Sequence, residues 1–361
     1  MGSILDTNTS PDGIRYATRE DIMRALDVQT TARNRRQIDD VIEGASRGVE
    51  GLCHRRFYPV LGTRYYDWPS RPVAGYTPWI LRLNDSELIS LRSMTSGGIS
   101  IPIEDVNLEP NRSGPPYSRV EINLSTSAAY GGGPTYQRDV TITGLWGYRN
   151  TETTLGQTAA AINDTTGTTL TVDGATSATV GVGSILRIDD ERVIVTERAQ
   201  ADTGQTGTLT ASKGDTTLTV ADGTAFAVDE VLLLDSERIR IDDIAGNTLT
   251  VERAYDGTVL AAHTGTAIYA ARALTVTRGA LGTTATTHTS GVTVYAWQAP
   301  GLIKQLVKAE AIWALLQERS GWFRLASSSG KSAPEVSRTA LDALRDQAYA
   351  EHGRKARTRS V

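Results

Sequence analysis

The chain has 361 residues, 39% of them hydrophobic, 37 Lys and Arg against 41 Asp and Glu, and a formal net charge of -4 with a pI near 5.7. That length is enough for two ordinary domains with a buried core, while no run of about 18 apolar residues offers a membrane span and the opening MGSILDTNTSPDGIRY lacks the basic-then-apolar order of a secretory signal. Cys53 is the only cysteine, so a disulfide within the chain is excluded, and the acidic balance argues against reading duplex DNA across the whole surface.

Residues 1–17 are polar, contain Pro11 and Gly13, and are expected to be a flexible arm. Thr18 opens a short helix with Asp21 placed as its capping-box partner and Ile22, Ala25 and Leu26 as the apolar stripe. Arg33 to Pro59 reads as the clearest helix. Ile38, Val41, Ile42, Ala45, Val49 and Leu52 recur at three- and four-residue steps, Arg55 to Tyr58 form the expected last turn and exit, and Cys53 reads as a small buried hydrophobe. Gly44, Gly48 and Gly51 each cost about 1 kcal/mol relative to Ala, which suggests that another backbone passes close to their side.

From Thr63 the period changes to two. TRYYDW, WILRLN, ELISLRSM, Gly98 to Ile103, SRVEINL and DVTITGLWGY read as strands, with turn clusters at Pro69 to Pro72, Gly97-Gly98, Asn111 to Pro116 and Gly131 to Pro134. They are expected to pack as a small sheet or hairpins on the helices, with Trp68, Trp79, Trp146 and Tyr148 buried. Between 150 and 298 the composition shifts to Thr, Gly, Ala, Val and Asp, and it repeats. TTLTV at Thr168 returns at Thr216, ILRIDDERVIV at Ile185 returns as VLLLDSERIRI at Val231, and Leu249 onward echoes Leu274 onward with Arg253, Gly257 and His263 matched by Arg278, Gly282 and His288. An inserted all-β repeat domain follows. At Pro300 a helix resumes, with Leu302, Ile303, Leu306, Val307, Ile312, Leu315 and Leu316 in a broad apolar band whose natural partner is the Ile38 to Leu52 face. Residues 327–361 read as a linker, a weaker helix and a basic tail.

The expected class is therefore α+β, a helical-bundle core with β-hairpins and a small sheet, over 18–149 and 299–326, interrupted by the 150–298 insertion.

No catalytic, cofactor or metal constellation is expected. Asp189-Asp190-Glu191, Asp235 with Glu237, and Asp242-Asp243 suit solvated hairpin turns better than paired catalytic carboxylates or calcium ligands. His54, His263, His288 and His352 have no metal-ligand spacing and read as structural. There is no GxxxxGK[ST], no GxGxxG after a strand and no GxSxG elbow. The tail residues Arg354, Lys355, Arg357 and Arg359 form either a solvated end or an arm that docks in an acidic groove of a partner, with direct phosphate contact a further alternative.

Taken together, TREDIMRALDV, the helix ending VEGLCHRRFYP, LRLNDSELISLRSMTSGG, GPPYSRVEINL, DVTITGLWGY and APGLIKQLVKAEAIWALLQERSGW resemble, in that order, the head-to-tail adaptor (connector) proteins of tailed bacteriophages and gene transfer agents. The 150–298 insertion departs from the compact adaptor pattern, and its LTVTRG repeat looks like repeats of phage structural proteins. The resemblance implies a non-enzymatic virion protein of the neck, made in the host cytoplasm. It implies a ring, commonly of twelve subunits, seated between a portal protein and a tail-completion (stopper) protein. DNA passes through its channel without sequence-specific binding, and no membrane is involved. On this reading Leu341, Leu344, Arg345, Arg354, Lys355, Arg357 and Arg359 contact the portal, and Gly44, Gly48 and Gly51 contact a neighbouring subunit. The alternative is a carbohydrate, host-surface or capsid-binding decoration module carried on a structural ring.

Overall fold

The structure, a computed structural model, describes residues 13–26, 32–69, 77–84, 86–326 and 338–354. Most of the expected N-terminal arm, the turn at 27–31, much of the Pro69 to Pro72 turn, the linker after 326 and the tail beyond Arg354 lie outside them. In chain order the elements are α1 (Arg19–Leu26), α2 (Ala32–Cys53), β1 (Val60–Tyr66), β2 (Ile80–Arg82), β3 (Leu88–Ser96), β4 (Ile99–Ile101), β5 (Val106–Glu109), β6 (Arg119–Ile122), β7 (Val140–Trp146), β8 (Glu152–Gln157) and β9 (Thr169–Thr171). They continue with α3 (Gly174–Thr179), β10 (Ile185–Ile188), β11 (Glu191–Leu209), β12 (Thr217–Thr219), β13 (Val231–Leu234), β14 (Glu237–Ala245), β15 (Thr248–Glu252), β16 (His263–Thr277), β17 (Thr293–Trp297), α4 (Gly301–Ala326) and α5 (Arg338–His352). Two units divide the chain: Met1–Cys53 with Glu152–Gly353, and His54–Thr151 with Arg354–Val361.

In the first unit α1 starts where the reciprocal cap forms. The Thr18 amide donates to Asp21 at 3.1 Å and the Asp21 amide to the Thr18 hydroxyl at 3.1 Å, satisfying two of the orphan donors of the first turn. α2 buries Ile38, Ile42, Val49 and Cys53 and packs on α4, which buries Ile303, Leu306, Val307, Ala311 and Leu315. Each large aliphatic side chain so buried contributes about 1.5–3 kcal/mol. α2 ends at Cys53, and His54 takes the left-handed conformation at φ 52°; the expected helical turn at Arg55 to Tyr58 is therefore absent, because a left-handed residue reverses the chain direction. The first turn of α1 fastens the helices to the β unit. The Arg19 amide donates to the Val182 carbonyl at 3.1 Å, the Val182 amide to Glu20 at 2.7 Å, and the Arg19 side chain spans Asp39 and Glu197.

The repeats are nested, one inside the other. Outer strands β11 and β16 pair Val195 with Val276, Glu197 with Thr275, Arg198 with Leu274 and Ala199 with Ala273. Inner strands β14 and β15 pair Ile241 with Val251, Asp243 with Thr250, Ile244 with Leu249 and Ala245 with Thr248, and the bulge after Val195 recurs after Ile241. Gly246 and Asn247 close the inner hairpin, whereas at the same point the outer hairpin holds the whole inner module. Each module keeps its own core, Leu170, Leu186, Val195 and Leu274 in the outer one and Leu218, Leu232, Ile241 and Leu249 in the inner one. The shared strands β11 and β16 make them one ten-stranded sheet.

In the second unit a four-stranded sheet, β1-β7-β3-β4, faces a three-stranded one, β2-β6-β5. Leu88, Met94, Ile142 and Trp146 of the first interleave with Leu81, Val106, Val120 and Ile122 of the second. This corrects the expectation of a helical-bundle core: among the described residues the protein is mixed α+β but 38% strand and 25% helix, with three sheets. The physical reason is that the strands of 60–146 bury their apolar residues against each other and so need no helical cover.

Nesting predicts that residues 200–272 can be replaced by Gly-Asn, the inner turn, with the outer module still melting cooperatively and retaining β-sheet circular dichroism. Loss of the cooperative transition would show that the modules fold only together.

Candidate functional site

The densest polar chemistry in the structure is a pair of matching clusters, one per module. The outer one begins at the two-residue turn between β10 and β11, where Asp189 is left-handed at φ 50°. Turn geometry sends Asp189 outward and Glu191 inward: their side chains are 60% and 0% exposed. His288 bridges them, Nδ1 at 2.8 Å from Asp189 and Nε2 at 2.9 Å from Glu191. Glu191 accepts from the Arg278 guanidinium at 2.7 and 2.8 Å and from the amides of Gly279 and Thr286 at 2.8 and 3.0 Å. The inner cluster repeats it. His263 bridges Asp235 and Glu237, both at 3.0 Å, and Glu237 accepts from Arg253 at 2.8 and 2.9 Å and from the amides of Ala254 and Ala261 at 2.9 and 3.0 Å.

Burial alone would raise both glutamates, but the arginine, the two amides and the histidine outweigh it and hold Glu191 and Glu237 at about 2. Arg253 uses all five of its N–H donors, two on Glu237 and three on the carbonyls of Thr210, Asp215 and Ala261. These carboxylates are saturated. Their hydrogen-bonding positions point at protein groups, the histidines are fully covered, and the bridging ring separates the two carboxylates instead of letting three ligands converge. Among the described residues no group of three or more His, Cys, Asp or Glu is disposed to hold a metal ion. The reading of both turns as solvated is thus right for Asp189 and Asp235 and reversed for Glu191 and Glu237. Asp243 remains exposed on β14, and Asp242 pairs with Arg240 at 2.8 Å.

The other expected site residues lie apart from these clusters. Gly44, Gly48 and Gly51 are exposed on α2; a Cβ at Gly44 or Gly51 would meet nothing within 4 Å, and one at Gly48 would meet only Glu310 of α4 at 3.6 Å. On α5, Leu341 is buried, Leu344 half-buried, and Arg345 donates to Glu310 at 2.8 Å, so this part of the helix is engaged within its own unit. Arg354 lies in the second unit, 3.5 Å from Glu87. Lys355, Arg357 and Arg359 are outside the described residues. What the sequence reading missed is the partnership of Arg253 with Glu237 and Arg278 with Glu191. The available signal was that a Glu and an Arg recur at matched positions of both repeats.

Two outcomes follow from the clusters. Arg253→Lys keeps the charge but supplies three donors for five acceptors, so urea unfolding should show a loss of at least about 2 kcal/mol. Because both glutamates sit below their ordinary 4.5, they stabilise the fold fully above that value, and stability should fall as pH drops from 4.5 toward about 2; Glu191→Gln with Glu237→Gln should flatten that slope in acid titrations followed by tryptophan fluorescence.

Comparison with protein-family models, curated proteins and solved structures finds no match to the chain.

Proposed function

We propose that the chain is a structural virion protein, a head-to-tail adaptor that assembles as a ring beneath a portal protein and leaves a central channel for DNA. The ordered motifs of the helices and of the strands between Val60 and Trp146 support this reading. The geometric observation that carries it is the division of α2 into two faces. α4 and α5 pack on α2, whose apolar positions Ile38, Ile42 and Val49 are buried, whereas the Gly44 and Gly51 positions open onto space that none of the described residues fills. Glycines in a helix interior cost about 1 kcal/mol each, and a face that keeps them without a neighbour among the described residues suits close approach by a second backbone, as in a closed ring of identical subunits.

Gly44→Leu with Gly51→Leu tests this. Leucine is the better helix former, so the variant should melt at or above the native temperature while analytical ultracentrifugation shows monomer where the native protein forms rings. Rings of native size from the variant would remove this face as the contact, and failure of the native chain to form rings alone or on portal rings would remove the adaptor reading. Portal docking is read separately from Lys355→Gln, Arg357→Gln and Arg359→Gln, which leave α5 and its buried Leu341 in place; unchanged portal binding would detach the tail from that role.

A further inference from the structure

Where α1 and the start of α2 approach the junction of the two modules, the first unit holds a cleft of about 180 Å³. The helices line it with Met23, Arg24 and Arg35, β11 with Arg198, and the inner module with Asp229, Val231 and Tyr255. Clefts that hold drug-sized ligands measure roughly 300–1,000 Å³, so this one suits a smaller molecule. Most of the charge in the lining is matched within the protein. Arg19 holds Glu197 at 3.0 Å, Arg238 holds Asp256 at 3.0 Å, and Arg198 lies 3.7 Å from Glu20. Among the described residues two of the charged lining side chains have no partner, the Arg24 guanidinium and the Asp229 carboxylate. Arg35 reaches Glu197, which Arg19 already holds, only at 3.8 Å. Asp229 also departs from the repeat. With Ile185 matched to Val231, it stands where the outer module has Gly183. Both positions are left-handed, at φ 68° and 97°, and both amides donate at 2.8 Å to matched carbonyls, those of Ile241 and Val195. Glycine meets that backbone requirement without strain, yet the inner module carries there a carboxylate that the fold does not use. Arg198 likewise stands where the inner module has Ile244, since it pairs with Leu274 as Ile244 pairs with Leu249.

We propose that this cleft binds a small zwitterion, an α-amino acid with an apolar side chain, its carboxylate on Arg24 and Arg35 and its ammonium on Asp229. A lone cation would meet five arginines in the lining and a lone anion four carboxylates. A molecule that carries both charges finds an unpaired group for each, and the two groups come from different elements, so its ends are told apart. Burial pushes the Arg198 guanidinium below its ordinary value, against the nearby carboxylates of Glu20 and Glu230. The base of the cleft is therefore short of negative charge, which favours the carboxylate end of the ligand. Met23, Val231 and Tyr255 are half-buried and supply apolar contact for its body. An uncharged ligand would leave Arg24 and Asp229 unmatched in a site that it had partly stripped of water. The inference goes beyond the adaptor reading and stands on the geometry of one subunit.

The test is isothermal titration calorimetry of the full-length protein with L-leucine, with isocaproate, which lacks the ammonium, and with isoamylamine, which lacks the carboxylate. Leucine should bind saturably at one site per chain, and each analogue at least about tenfold more weakly, the loss expected when one charged hydrogen bond is removed. Asp229→Gly, which installs the residue of the outer module, should weaken leucine by about the same factor and leave isocaproate unchanged. Arg24→Gln should weaken leucine and isocaproate and leave isoamylamine unchanged; melting curves verify that both variants are folded. No saturable binding of leucine, equal affinity for either analogue, or native affinity for leucine in either variant would each overturn the proposal. Ring formation is measured in the same samples by ultracentrifugation, so native rings that ignore leucine refute this inference alone, and leucine-binding monomers refute the adaptor reading alone.

Discussion

Placing Glu191 and Glu237 out of contact with water is the constraint on which the repeat modules depend. An ionised carboxylate in a protein interior is tolerated only when paired and fully hydrogen-bonded. Here the requirement is met by a loop of about ten residues that leaves the sheet at Arg278 or Arg253 and returns at His288 or His263, giving a guanidinium, two amides and an imidazole to one carboxylate. The loop has little regular structure of its own, and its shape follows from that task. To present its amides it passes through left-handed backbone at Gly279 and Leu281 in one module and at Ala254 and Asp256 in the other. Left-handed Ala and Leu are uncommon, and the recurrence of that conformation at matched positions, Ala254 with Gly279 and Asp256 with Leu281, shows that the carboxylate sets the path of the loop more strongly than local preference does.

The same economy explains how one module can sit inside the other. A tight turn joins strand ends that are already adjacent, and anything inserted there is tolerated if its own two ends are equally close. β11 and β16 meet this condition by continuing to pair from Ala201 with Ala270 to Leu209 with His263, so the inner module begins and ends on neighbouring strands and adds almost no loop-closure cost. The seam is then fastened by bonds that cross it: the half-buried Arg198 donates to the Ala271 carbonyl at 3.4 Å, and the Val172 amide donates to the Arg272 carbonyl at 3.0 Å.

Features set by short stretches of chain were legible from sequence. The Thr18 and Asp21 cap, the period-two strands from β1 to β7, the internal repeat and the pairing of α2 with α4 across some 250 residues all rest on local periodicity or self-similarity. Features set by distant residues were not. DDE and DSE read as turn residues, and nothing within three positions of Glu191 or Glu237 reveals that a loop arriving from elsewhere covers one carboxylate and leaves its neighbour in water. The balance of the fold was misjudged for a related reason. A strand with one apolar face does not say whether a helix or a second sheet will cover it, and the pairing of Leu81, Val120 and Ile122 against Met94, Ile142 and Trp146 is a choice made between strands.

Arginine outnumbers lysine heavily in this chain, whose lysines are Lys213, Lys304, Lys308, Lys331 and Lys355 out of 37 basic residues. The contacts explain the preference. Arg253 satisfies five acceptors from one planar group, and Arg19 links Asp39 to Glu197 with both ends of its fork. A lysine ammonium in either place would leave acceptors buried without donors and would itself be harder to strip of water. Around Glu87 the same chemistry does different work, because there guanidinium faces lie on Trp146 and Tyr148. Stacking holds a side chain by its face, whereas the module clusters hold it by exhausting its donors. One residue type therefore closes the interior of the repeats and, in the other unit, gathers positive charge over a pair of aromatic rings.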